Sequence, residues 1–579
     1  MDFGGGSARH AAYDCTVTTF YPPRPWTASY AVGVPEDLGP IDGSLMDLVA
    51  DSARDYPDAP ALQFFGRETT YAQLAAAIER AAAGLRAQGV RKGDPVAIIL
   101  PNCSQHIIAF YAVLRLGAIV VEHNPLYTPR ELRKQFEDHG AKHAIVWSKV
   151  ARTVQEFPDD LAVDTLISVD VTRGMPGYMQ LALKVPVPKL RELRSQLTEK
   201  VRGAIQWERI VGHEPLDADV PGPDTDDIAI IQYTSGTTGD PKGAALTHRN
   251  LLANAAQARA WIPQVKRGFG TVVYAVLPMF HAYGLTLCLT FAMSQAARLV
   301  LFPKFDPDMV LAVTKKHPAT VLPAVPPIAE RLLKRAMEKG VSLEGTQIGV
   351  SGAMALDPKL VEPWEAETKG YLVEGYGLSE CSPVLIVNPV APNRKAGSIG
   401  LPLPGTEVRV VDPDTGLDVP QGQAGELLVR GPQVFGGYYG KPEETEQVFM
   451  DGWFRTGDVV EMDEDGFFTV VDRIKELIIT GGFNVAPTEV EIALRQHPAI
   501  EDAAVVGLPG PKGEEVVAAV VLDGTPEFDP EEVRAFVKKV LTPYKAPRRL
   551  VVVDELLKSM IGKVMRRKVK EQLLEQLAG

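Results

Sequence analysis

A segment rich in glycine and hydroxyl side chains, residues 233–243, carries the clearest chemical signal in the chain. It reads YTSGTTGDPKG, follows the apolar run 228–232, and precedes a Leu- and Ala-rich run, 247–260, that Thr247 could cap as a helix. Glycines let a backbone approach an anion closely, backbone N–H groups can surround phosphate oxygens, and Lys242 adds positive charge. This order predicts a strand, a polyphosphate-binding loop and then a helix. A flexible linker of small polar residues is the alternative, which the mixture of residue types disfavours.

The spacing of this segment excludes a Walker A loop. Counting from Gly236, Pro241 stands where the second glycine belongs, and Gly243 rather than Ser or Thr follows the lysine. The segment instead resembles the phosphate loop of the adenylate-forming superfamily, which includes acyl-CoA synthetases, luciferases and the adenylation domains of peptide synthetases. The resemblance implies that the ATP-binding residues of this loop are Thr234, Ser235, Gly236, Thr237, Thr238, Gly239 and Lys242.

Further segments resemble the superfamily's nucleotide motifs, in the expected order. In the motif 374–380 (EGYGLSE), the resemblance implies that Tyr376 stacks on adenine and that Glu380 binds Mg²⁺, with Thr234 as a second metal ligand. Asp458 would bind the ribose hydroxyls, and Arg473 would lie near the ribose. The family usually has Thr where this chain has Ser379, and serine keeps the hydroxyl. The other implied ATP- or AMP-binding residues are Gly352, Ala353, Glu374, Gly375, Gly377 and Ser379. Taken singly, such strings also occur in ordinary turns.

Other motifs concern the acyl group and the moving parts of the fold. Phe280-His281 matches the acyl-pocket motif, in which His281 orients the substrate carboxylate. Lys563 matches the lysine that enters the site for adenylation, although Leu557 stands where relatives usually have proline. Lys563, His281 and Glu380 are therefore the implied catalytic residues. The implied hinge is Lys475, and the implied loop that lines the pantetheine tunnel of CoA is Gly481, Gly482 and Phe483.

Length and composition describe an acidic globular protein with more than one domain. The chain has 579 residues, 45% hydrophobic and 23% charged, which is too long for a single core. A net charge of -13 argues against a general nucleic-acid binder, which needs a basic face. The four cysteines have no Cys-x-x-Cys spacing, which fits a reducing cytoplasm. There is no signal-peptide pattern, and polar residues interrupt the most apolar stretch, 272–302, so no transmembrane helix is predicted.

Alternation of helical and strand-like runs predicts an α/β fold. A helical run at 74–88 is followed by short apolar strands at 96–100 and 144–147. The resemblance implies an adenylate-forming enzyme fold, with a large multi-layer α/β N-terminal domain and a small mobile α+β C-terminal domain. We expect an irregular N-terminal arm at 1–40, a large AMP- and acyl-binding domain at 41–472, and a mobile lid domain at 473–579.

Residues 171–205 differ from the acidic average of the chain. They contain seven basic and two acidic residues, interleaved with apolar ones. Such a mixture can lie on an anionic membrane surface, which leads to the hypothesis of a peripheral membrane contact. The alternative is an insertion whose apolar side packs on its own domain, because Pro186 and Pro188 interrupt any long helix.

Within the superfamily, the segments 374–383, 397–402 and 431–434 look most similar to bacterial long-chain fatty acid–CoA ligases. The implied activity converts a fatty acid and ATP to acyl-AMP and pyrophosphate and then transfers the acyl group to CoA, with Mg²⁺ present. The alternatives are an aryl-CoA ligase, a fatty acyl-AMP ligase that delivers to a carrier protein, and an inactive lipid-binding or transport protein. The expected partners are the fatty acid, ATP and CoA, without nucleic acid. A homodimer is left open, and the expected location is the cytoplasm, with peripheral contact at the inner face of the membrane.

Overall fold

The computed structural model describes residues 24–161, 163–234, 241–268, 270–480, 483–510, 513–524, 528–559 and 562–578. Several predicted positions lie outside the described residues: 1–23 of the N-terminal arm, Ser235, Gly236, Thr237, Thr238 and Gly239 of the phosphate loop, and Gly481 and Gly482 of the CoA loop.

Strands of the described residues are, in chain order, β1 (Pro60–Phe64), β2 (Arg67–Thr70), β3 (Pro95–Ile99), β4 (Ile119–Glu122), β5 (His143–Trp147), β6 (Thr165–Val169), β7 (Ile205–Gln206), β8 (Ile228–Thr234), β9 (Lys242–Thr247), β10 (Val272–Ala275), β11 (Arg298–Leu301), β12 (Val321–Ala324), β13 (Ile348–Ser351), β14 (Tyr371–Gly377), β15 (Val384–Val387), β16 (Leu401–Pro402), β17 (Glu407–Val411), β18 (Gly425–Arg430), β19 (Phe449–Met450), β20 (Trp453–Met462), β21 (Phe468–Arg473), β22 (Ile478–Thr480), β23 (Phe483–Val485), β24 (Ile500–Gly510), β25 (Gly513–Leu522) and β26 (Arg549–Val552).

Helices of the described residues are α1 (Leu45–Asp55), α2 (Tyr71–Ala87), α3 (Ser104–Arg115), α4 (Pro129–His139), α5 (Ala151–Gln155), α6 (Gly177–Ala182), α7 (Pro188–Leu197), α8 (Trp207–Ile210), α9 (His248–Trp261), α10 (Ala282–Gly284), α11 (Phe291–Ser294), α12 (Pro307–Thr314), α13 (Pro326–Lys339), α14 (Val361–Thr368), α15 (Pro442–Glu446), α16 (Pro487–Arg495), α17 (Pro530–Val540) and α18 (Arg566–Ala578). A π-helix, Leu285–Thr290, joins α10 to α11. No helix of the described residues combines the length and the apolar character needed to cross a membrane.

Three sheets build the large N-terminal unit around one main core. A nine-stranded sheet has the order β16-β15-β14-β13-β12-β10-β11-β1-β2, and a seven-stranded sheet has the order β7-β6-β5-β3-β4-β8-β9. The third sheet joins β17, β18, β20 and β19, with β21 paired to β20. The inner strands of the first two sheets are parallel and alternate with helices along the chain, so the predicted α/β layering is confirmed.

The C-terminal unit has its own sheet and its own cores. Its strand order is β23-β22-β25-β24, with β26 paired to β25. Helices α16 and α17 cover one face of this sheet, and α18 packs on the other. The chain passes from β21 to β22 through a single 3-10 turn, Ile474–Glu476, which contains the predicted hinge Lys475. The predicted boundary between residues 472 and 473 stays a prediction.

The predicted order of strand, loop and helix around residues 228–260 is wrong in one respect. A second strand, β9, stands between the loop and helix α9, and it pairs antiparallel with β8 so that Thr234 lies opposite Lys242. The predicted loop therefore connects two strands instead of leading directly into a helix. Residues 242–247 (KGAALT) are too short and mixed to show a strand pattern of their own, and their pairing to β8 decides their conformation. The predicted cap of α9 is confirmed, because the Thr247 hydroxyl accepts the N–H of Asn250 at 3.2 Å.

Candidate active site

Three of the predicted nucleotide-binding residues form one connected group on three strands. The Tyr376 hydroxyl donates to Oδ2 of Asp458 at 2.5 Å, and Nε of Arg473 lies 2.8 Å from Oδ1 of the same carboxylate. Asp458 on β20 and Arg473 on β21 are direct partners in the strand register, which explains their pairing. Burial and the Asp458 charge raise the pKa of Tyr376 well above its ordinary value, so the phenol acts as a donor. The carboxylate of Asp458 is thus fixed from two sides.

A second group joins the predicted metal ligand to the predicted phosphate-binding lysine through a tyrosine. The Tyr438 hydroxyl donates to Oε1 of Glu380 at 2.8 Å, and Nζ of Lys242 lies 5.4 Å from the centre of the Tyr438 ring. Burial raises the pKa of Glu380. The residues on both sides of Tyr438 bond to the backbone of strand β9, since Ala245 donates to Gly437 and Tyr439 donates to Gly243.

Sequence reasoning missed Tyr438. The residue lies in the run Phe-Gly-Gly-Tyr-Tyr-Gly, residues 435–440. Glycines on both sides of an aromatic residue are the same signal that identified Tyr376, so the pattern was available in the sequence. Which acidic group an aromatic hydroxyl would reach depends on a contact between residues 58 positions apart, and this contact is visible only in the structure.

Glu374 lies beneath the loop that follows β13, and its side chain turns to the backbone. The N–H of Leu356 donates to Oε1 of Glu374 at 3.2 Å, and burial raises the pKa of Glu374 to about 8. The predicted residue Ala353 in this loop has a φ of 65°, which is unusual for a residue with a side chain. Glu374 therefore supports the predicted nucleotide loop from below by a backbone hydrogen bond.

Two glycines allow close approaches that a side chain would block. A Cβ atom at Gly377 would lie 1.9 Å from the carbonyl oxygen of Pro383, where β14 meets the turn that carries Ser379 and Glu380. A Cβ atom at Gly352 would lie 3.0 Å from the ring of Tyr283, whose hydroxyl donates to the carbonyl of Val350 at 2.8 Å. The nucleotide motifs and the helix after His281 are therefore in close contact.

His281 lies at the end of a segment that a buried asparagine holds in place. Asn102 donates to the carbonyls of Ala275 and Leu277 at 2.9 and 2.7 Å, and it accepts the N–H of Met279 at 2.9 Å. Desolvation and the charge of Lys563 lower the pKa of His281. The imidazole thus lies within electrostatic reach of a lysine that belongs to the C-terminal unit.

Lys563 stands next to Gly562, which lies close to the large unit. The backbone of Ser559 bonds to the Lys563 carbonyl at 2.7 Å, and a Cβ atom at Gly562 would lie 3.2 Å from Pro327. Although the residue as a whole is exposed, desolvation of the ammonium and then the charge of Arg473 lower the pKa of Lys563, while Glu476 and Asp458 raise it. The Lys563 ammonium is therefore within electrostatic reach of His281, Asp458 and Arg473.

The remaining predicted residues lie at the edges of this junction. Thr234 ends β8, and its hydroxyl lies 3.4 Å from the carbonyl of Lys242. Phe483 begins β23 and is the register partner of Thr480 on β22. Among the described residues, no group of three or more His, Cys, Asp or Glu side chains could hold a metal ion.

A fully apolar cavity of about 40 Å³ lies between helix α9 and the nine-stranded sheet. Strand β13, which leads into the Gly352 loop, contributes Val350, and the π-helix after Tyr283 contributes Leu287. Helix α9 contributes Ala258 and Trp261. The cavity is thus a small void in the core of the large unit, next to the strand that leads into the Gly352 loop.

Comparisons with known proteins agree with this geometry. The protein-family model described as "AMP-binding enzyme" matches residues 49–439. The model described as "AMP-binding enzyme C-terminal domain" matches residues 489–563. The chain is 38% identical over 558 residues to a long-chain-fatty-acid–CoA ligase of Bacillus subtilis (strain 168), with 95% of this chain and 98% of the relative covered. It is 36% identical over 562 residues to a long-chain-fatty-acid–CoA ligase of Escherichia coli O6:H1, with 94% and 98% covered.

A solved structure gives the same result for the fold. The crystal structure of ATP-bound MatB from Rhodopseudomonas palustris superposes with a TM-score of 0.76 at 30% identity, covering 92% of this chain and 99% of that one. The predicted fold class, a large α/β unit followed by a smaller C-terminal unit, is confirmed. The chain belongs to the family of AMP-binding enzymes.

Proposed function

We propose that the protein is an ATP-dependent ligase that converts a long-chain fatty acid and CoA to acyl-CoA, with release of AMP and pyrophosphate. The relatives from Bacillus subtilis and Escherichia coli are named for that activity, and the alignments cover nearly their whole length. The observation that carries the proposal is the group of Tyr376, Asp458 and Arg473, in which two side chains fix one buried carboxylate.

In the first half-reaction, an oxygen of the fatty carboxylate attacks the α-phosphorus of ATP. The bond from the α-phosphorus to the oxygen that leads to the β-phosphate breaks, and pyrophosphate leaves. His281 orients the carboxylate, and protonated Lys563 stabilises the negative charge that develops at the α-phosphate. Lys242 and the loop before it hold the departing phosphates. Tyr376, Asp458 and Arg473 hold the adenosine, and the loop of Gly352 and Ala353 packs beside it.

The residues around Glu380 fit a magnesium ion. A buried carboxylate with a raised pKa favours a nearby cation, because the cation stabilises the charged form. Thr234 could supply a hydroxyl oxygen, and the phosphates of ATP would provide further ligands because the described residues contain no complete metal cluster. When bound, Mg²⁺ would supply charge neutralisation on the phosphates.

In the second half-reaction, the CoA sulfur attacks the acyl carbonyl of acyl-AMP. The thiol proton is lost, the bond between the carbonyl carbon and the phosphate oxygen breaks, and AMP leaves. We propose that the part of the predicted lid domain 473–579 that follows Lys475 first rotates about that residue. The rotation withdraws Lys563 and brings the loop of Gly481, Gly482 and Phe483 to the pantetheine arm, so that one site serves both reactions in turn.

Carboxylate-dependent exchange between ATP and pyrophosphate tests the proposal. The purified full chain should exchange with long-chain acids in a panel from acetate to oleate plus benzoates, and it should form acyl-CoA when CoA is added. Preference for benzoates would indicate an aryl-CoA ligase, and acyl-AMP without acyl-CoA would indicate delivery to a carrier protein. Absence of exchange with every acid would contradict the proposal and favour an inactive lipid-binding protein.

The proposal extends to the setting of the enzyme. We place it in the cytoplasm, with peripheral contact at the inner face of the membrane. A homodimer stays a prediction, which sedimentation equilibrium of the purified chain would test. Nucleic acid is not an expected partner, since the net charge of the chain is -13.

A further inference from the structure

The segment between β6 and β7, residues 171–205, presents a cluster of exposed apolar side chains, here called the 171–205 surface. Five of the sixteen large apolar residues that are exposed among the described residues fall between positions 178 and 193. Their exposed fractions are 71% for Tyr178, 66% for Leu181, 46% for Val185, 45% for Val187 and 43% for Leu193. Single exposed apolar residues are normal on a protein surface, whereas a cluster points to an interaction site.

The same surface is basic in an acidic protein. Residues 171–205 carry seven Lys or Arg and two Glu, a local charge of +5, against -13 for the whole chain. One of the two acids, Glu199, pairs with Lys149 at 3.2 Å. Within the described part of the chain, none of the seven basic side chains lies within salt-bridge distance of a carboxylate; they are Arg173, Lys184, Lys189, Arg191, Arg194, Lys200 and Arg202.

The apolar side chains of this surface do not complete a core of their own. Neither α6 nor α7 contains a buried residue. Val171, Met175 and Leu183 of the segment are buried in the main core, and Met179, Leu197 and Ile205 are partly buried against it, so these residues anchor the segment. The alternative interpretation, in which the apolar side of the insertion packs on its own domain, therefore accounts for these anchors and leaves the five exposed residues without a partner.

Hydrogen bonds fix the 171–205 surface to the body of the protein. Trp147 Nε1 donates to the carbonyl of Leu197 at 2.8 Å, and Gln155 donates to the carbonyl of Arg202 at 2.8 Å. At the other end of the segment, Gln105 donates to the carbonyl of Asp170 at 3.2 Å. The two short helices are thus held on the end of the sheet, so that a partner would meet a pre-arranged surface.

The 171–205 surface lies on the same edge of the seven-stranded sheet as the phosphate loop. Strands β6, β5, β3, β4 and β8 are all parallel, so their carboxyl ends share one edge. The surface follows β6, and the phosphate loop follows β8, four strands further along. At about 4.8 Å per strand, the two strand ends are separated by about 19 Å.

We propose that the 171–205 surface binds the headgroup region of an anionic lipid bilayer. Short helices with exposed apolar residues can insert into the boundary between headgroups and acyl chains, and the unpaired Lys and Arg side chains would contact lipid phosphates. The binding itself does not depend on catalysis. Its use, uptake of a fatty acid from the membrane on the nucleotide side of the sheet, rests on the proposed function.

Sedimentation of the full chain with lipid vesicles tests this proposal. We expect binding to vesicles of phosphatidylcholine with phosphatidylglycerol at low salt, at least tenfold tighter than to phosphatidylcholine alone and weaker at high salt. Two variants should each weaken binding at least tenfold: Tyr178→Ser with Leu181→Ser, and the quadruple variant Lys184→Gln, Lys189→Gln, Arg191→Gln and Arg194→Gln. Exchange with a short soluble acid should stay within twofold of the unmodified protein.

A matched control separates this surface from net charge. Lys315, Lys316, Lys334 and Lys359 are exposed elsewhere, and changing all four to Gln alters the total charge by the same amount. This control should bind vesicles as the unmodified chain does, and a thermal melt of every variant checks folding.

Equal weakening in the control and the quadruple variant would overturn the proposal, as would absence of vesicle binding at low salt. Self-association that the Tyr178 and Leu181 changes abolish, without vesicle binding, would identify an interface between copies instead. Failure of catalysis with intact vesicle binding would count only against the proposed function.

Discussion

The groups of the large unit and Lys563 of the C-terminal unit meet at one junction but are held in opposite ways. Asp458 is a buried residue on a central strand, fixed by Tyr376 and by its register partner Arg473. The carbonyl of Lys563 accepts the N–H of Ser559, within the C-terminal unit. Moving Asp458 would break a sheet, whereas moving Lys563 would separate only the contacts between two units.

This difference suggests which groups act in both half-reactions and which act in only one. The strand-held groups are available throughout a catalytic cycle, since nothing short of unfolding removes them. Gly562, beside Lys563, approaches Pro327 of the large unit, and Arg566 pairs with Glu476 in the hinge turn. A lysine on such a support can serve one half-reaction and leave for the other.

The largest expected effect comes from Lys563→Ala. Removing a preorganised positive charge from the site of developing charge costs about 10²- to 10³-fold in rate. We expect acyl-AMP formation, measured by exchange between ATP and pyrophosphate, to fall by about that factor. Thioester formation from supplied acyl-AMP and CoA should stay within about twofold, because the proposed rotation withdraws this lysine before the second half-reaction.

Lys558→Ala is the control for this prediction. Lys558 lies in the same C-terminal region and pairs with Asp502, away from the junction. Its loss should leave both half-reactions unchanged. Equal losses in both half-reactions for Lys563→Ala would contradict the division of roles between the two regions.

Asp458→Asn should weaken both half-reactions, in contrast to Lys563→Ala. The change leaves Arg473 without its charged partner and weakens the hold on the nucleotide. Hydrogen bonds to charged groups contribute about 1.5–3 kcal/mol, so we expect the KM for ATP to rise about 10- to 100-fold. The affinity for acyl-AMP in the second half-reaction should fall in parallel. Asp465→Asn, at an exposed loop position that pairs with Lys395, should change neither. An Asp458 variant impaired in adenylation alone would contradict a permanent role for this carboxylate.

Changes at Tyr438 separate its two contacts. Tyr438→Phe removes the donor to Glu380 and keeps the ring beside Lys242, whereas Tyr438→Leu removes both. We expect the Mg²⁺ concentration for half-maximal exchange to rise about 3- to 10-fold in both variants. The KM for ATP should rise a further 2- to 5-fold only in the Leu variant, through the lost cation–π contact. Tyr439→Phe is the matched control, and identical behaviour of the Phe and Leu variants would show that the ring contact has no role.

Sequence reasoning reached the junction because its groups come from compact local motifs. Tyr376, Asp458 and Arg473 were each assigned to the nucleotide, and the structure brings them into direct contact. Their assignment to the nucleotide itself stays a prediction. What the sequence did not indicate is that they bond to one another, since this depends on the register between β20 and β21 and on the position of β14.

The sequence predictions were wrong or incomplete where contacts between residues distant in the chain decide the local structure. The run 242–247 has no clear strand pattern, yet it pairs with β8 and bonds to Gly437 and Tyr439 as a strand. Tyr438 acquires its role only because that strand holds it over Lys242. Glu374 stands inside a nucleotide motif, but its carboxyl bonds to the backbone of Leu356. Local pattern identifies the motif and leaves the direction of each side chain undetermined.

The smallest expected effect concerns Glu374, which belongs to the large unit. Its pKa of about 8 lies above the ordinary value of 4.5, because burial disfavours the charged form. The stability that this raised pKa contributes is fully present below pH 4.5 and is lost as the pH rises through about 8. In Glu374→Gln, a neutral amide can still accept the Leu356 N–H and cannot ionise. The melting temperature of the variant, relative to the unmodified chain, should therefore rise between pH 5 and pH 8, on the order of 1–2 °C.

Differential scanning calorimetry at pH 5, 6.5 and 8 measures this difference, and Glu367→Gln provides the matched control. Glu367 also accepts a backbone N–H, from Leu343 at 3.2 Å, but it is only partly buried. The Glu367→Gln variant measures the effect of replacing a hydrogen-bonded carboxyl by an amide at a less buried site. A difference for Glu374→Gln that stays constant or shrinks toward pH 8 would mean that this carboxyl is ionised in the folded protein. The N–H of Leu356, which follows the loop of Gly352 and Ala353, would then donate to a carboxylate rather than to a neutral carboxyl group.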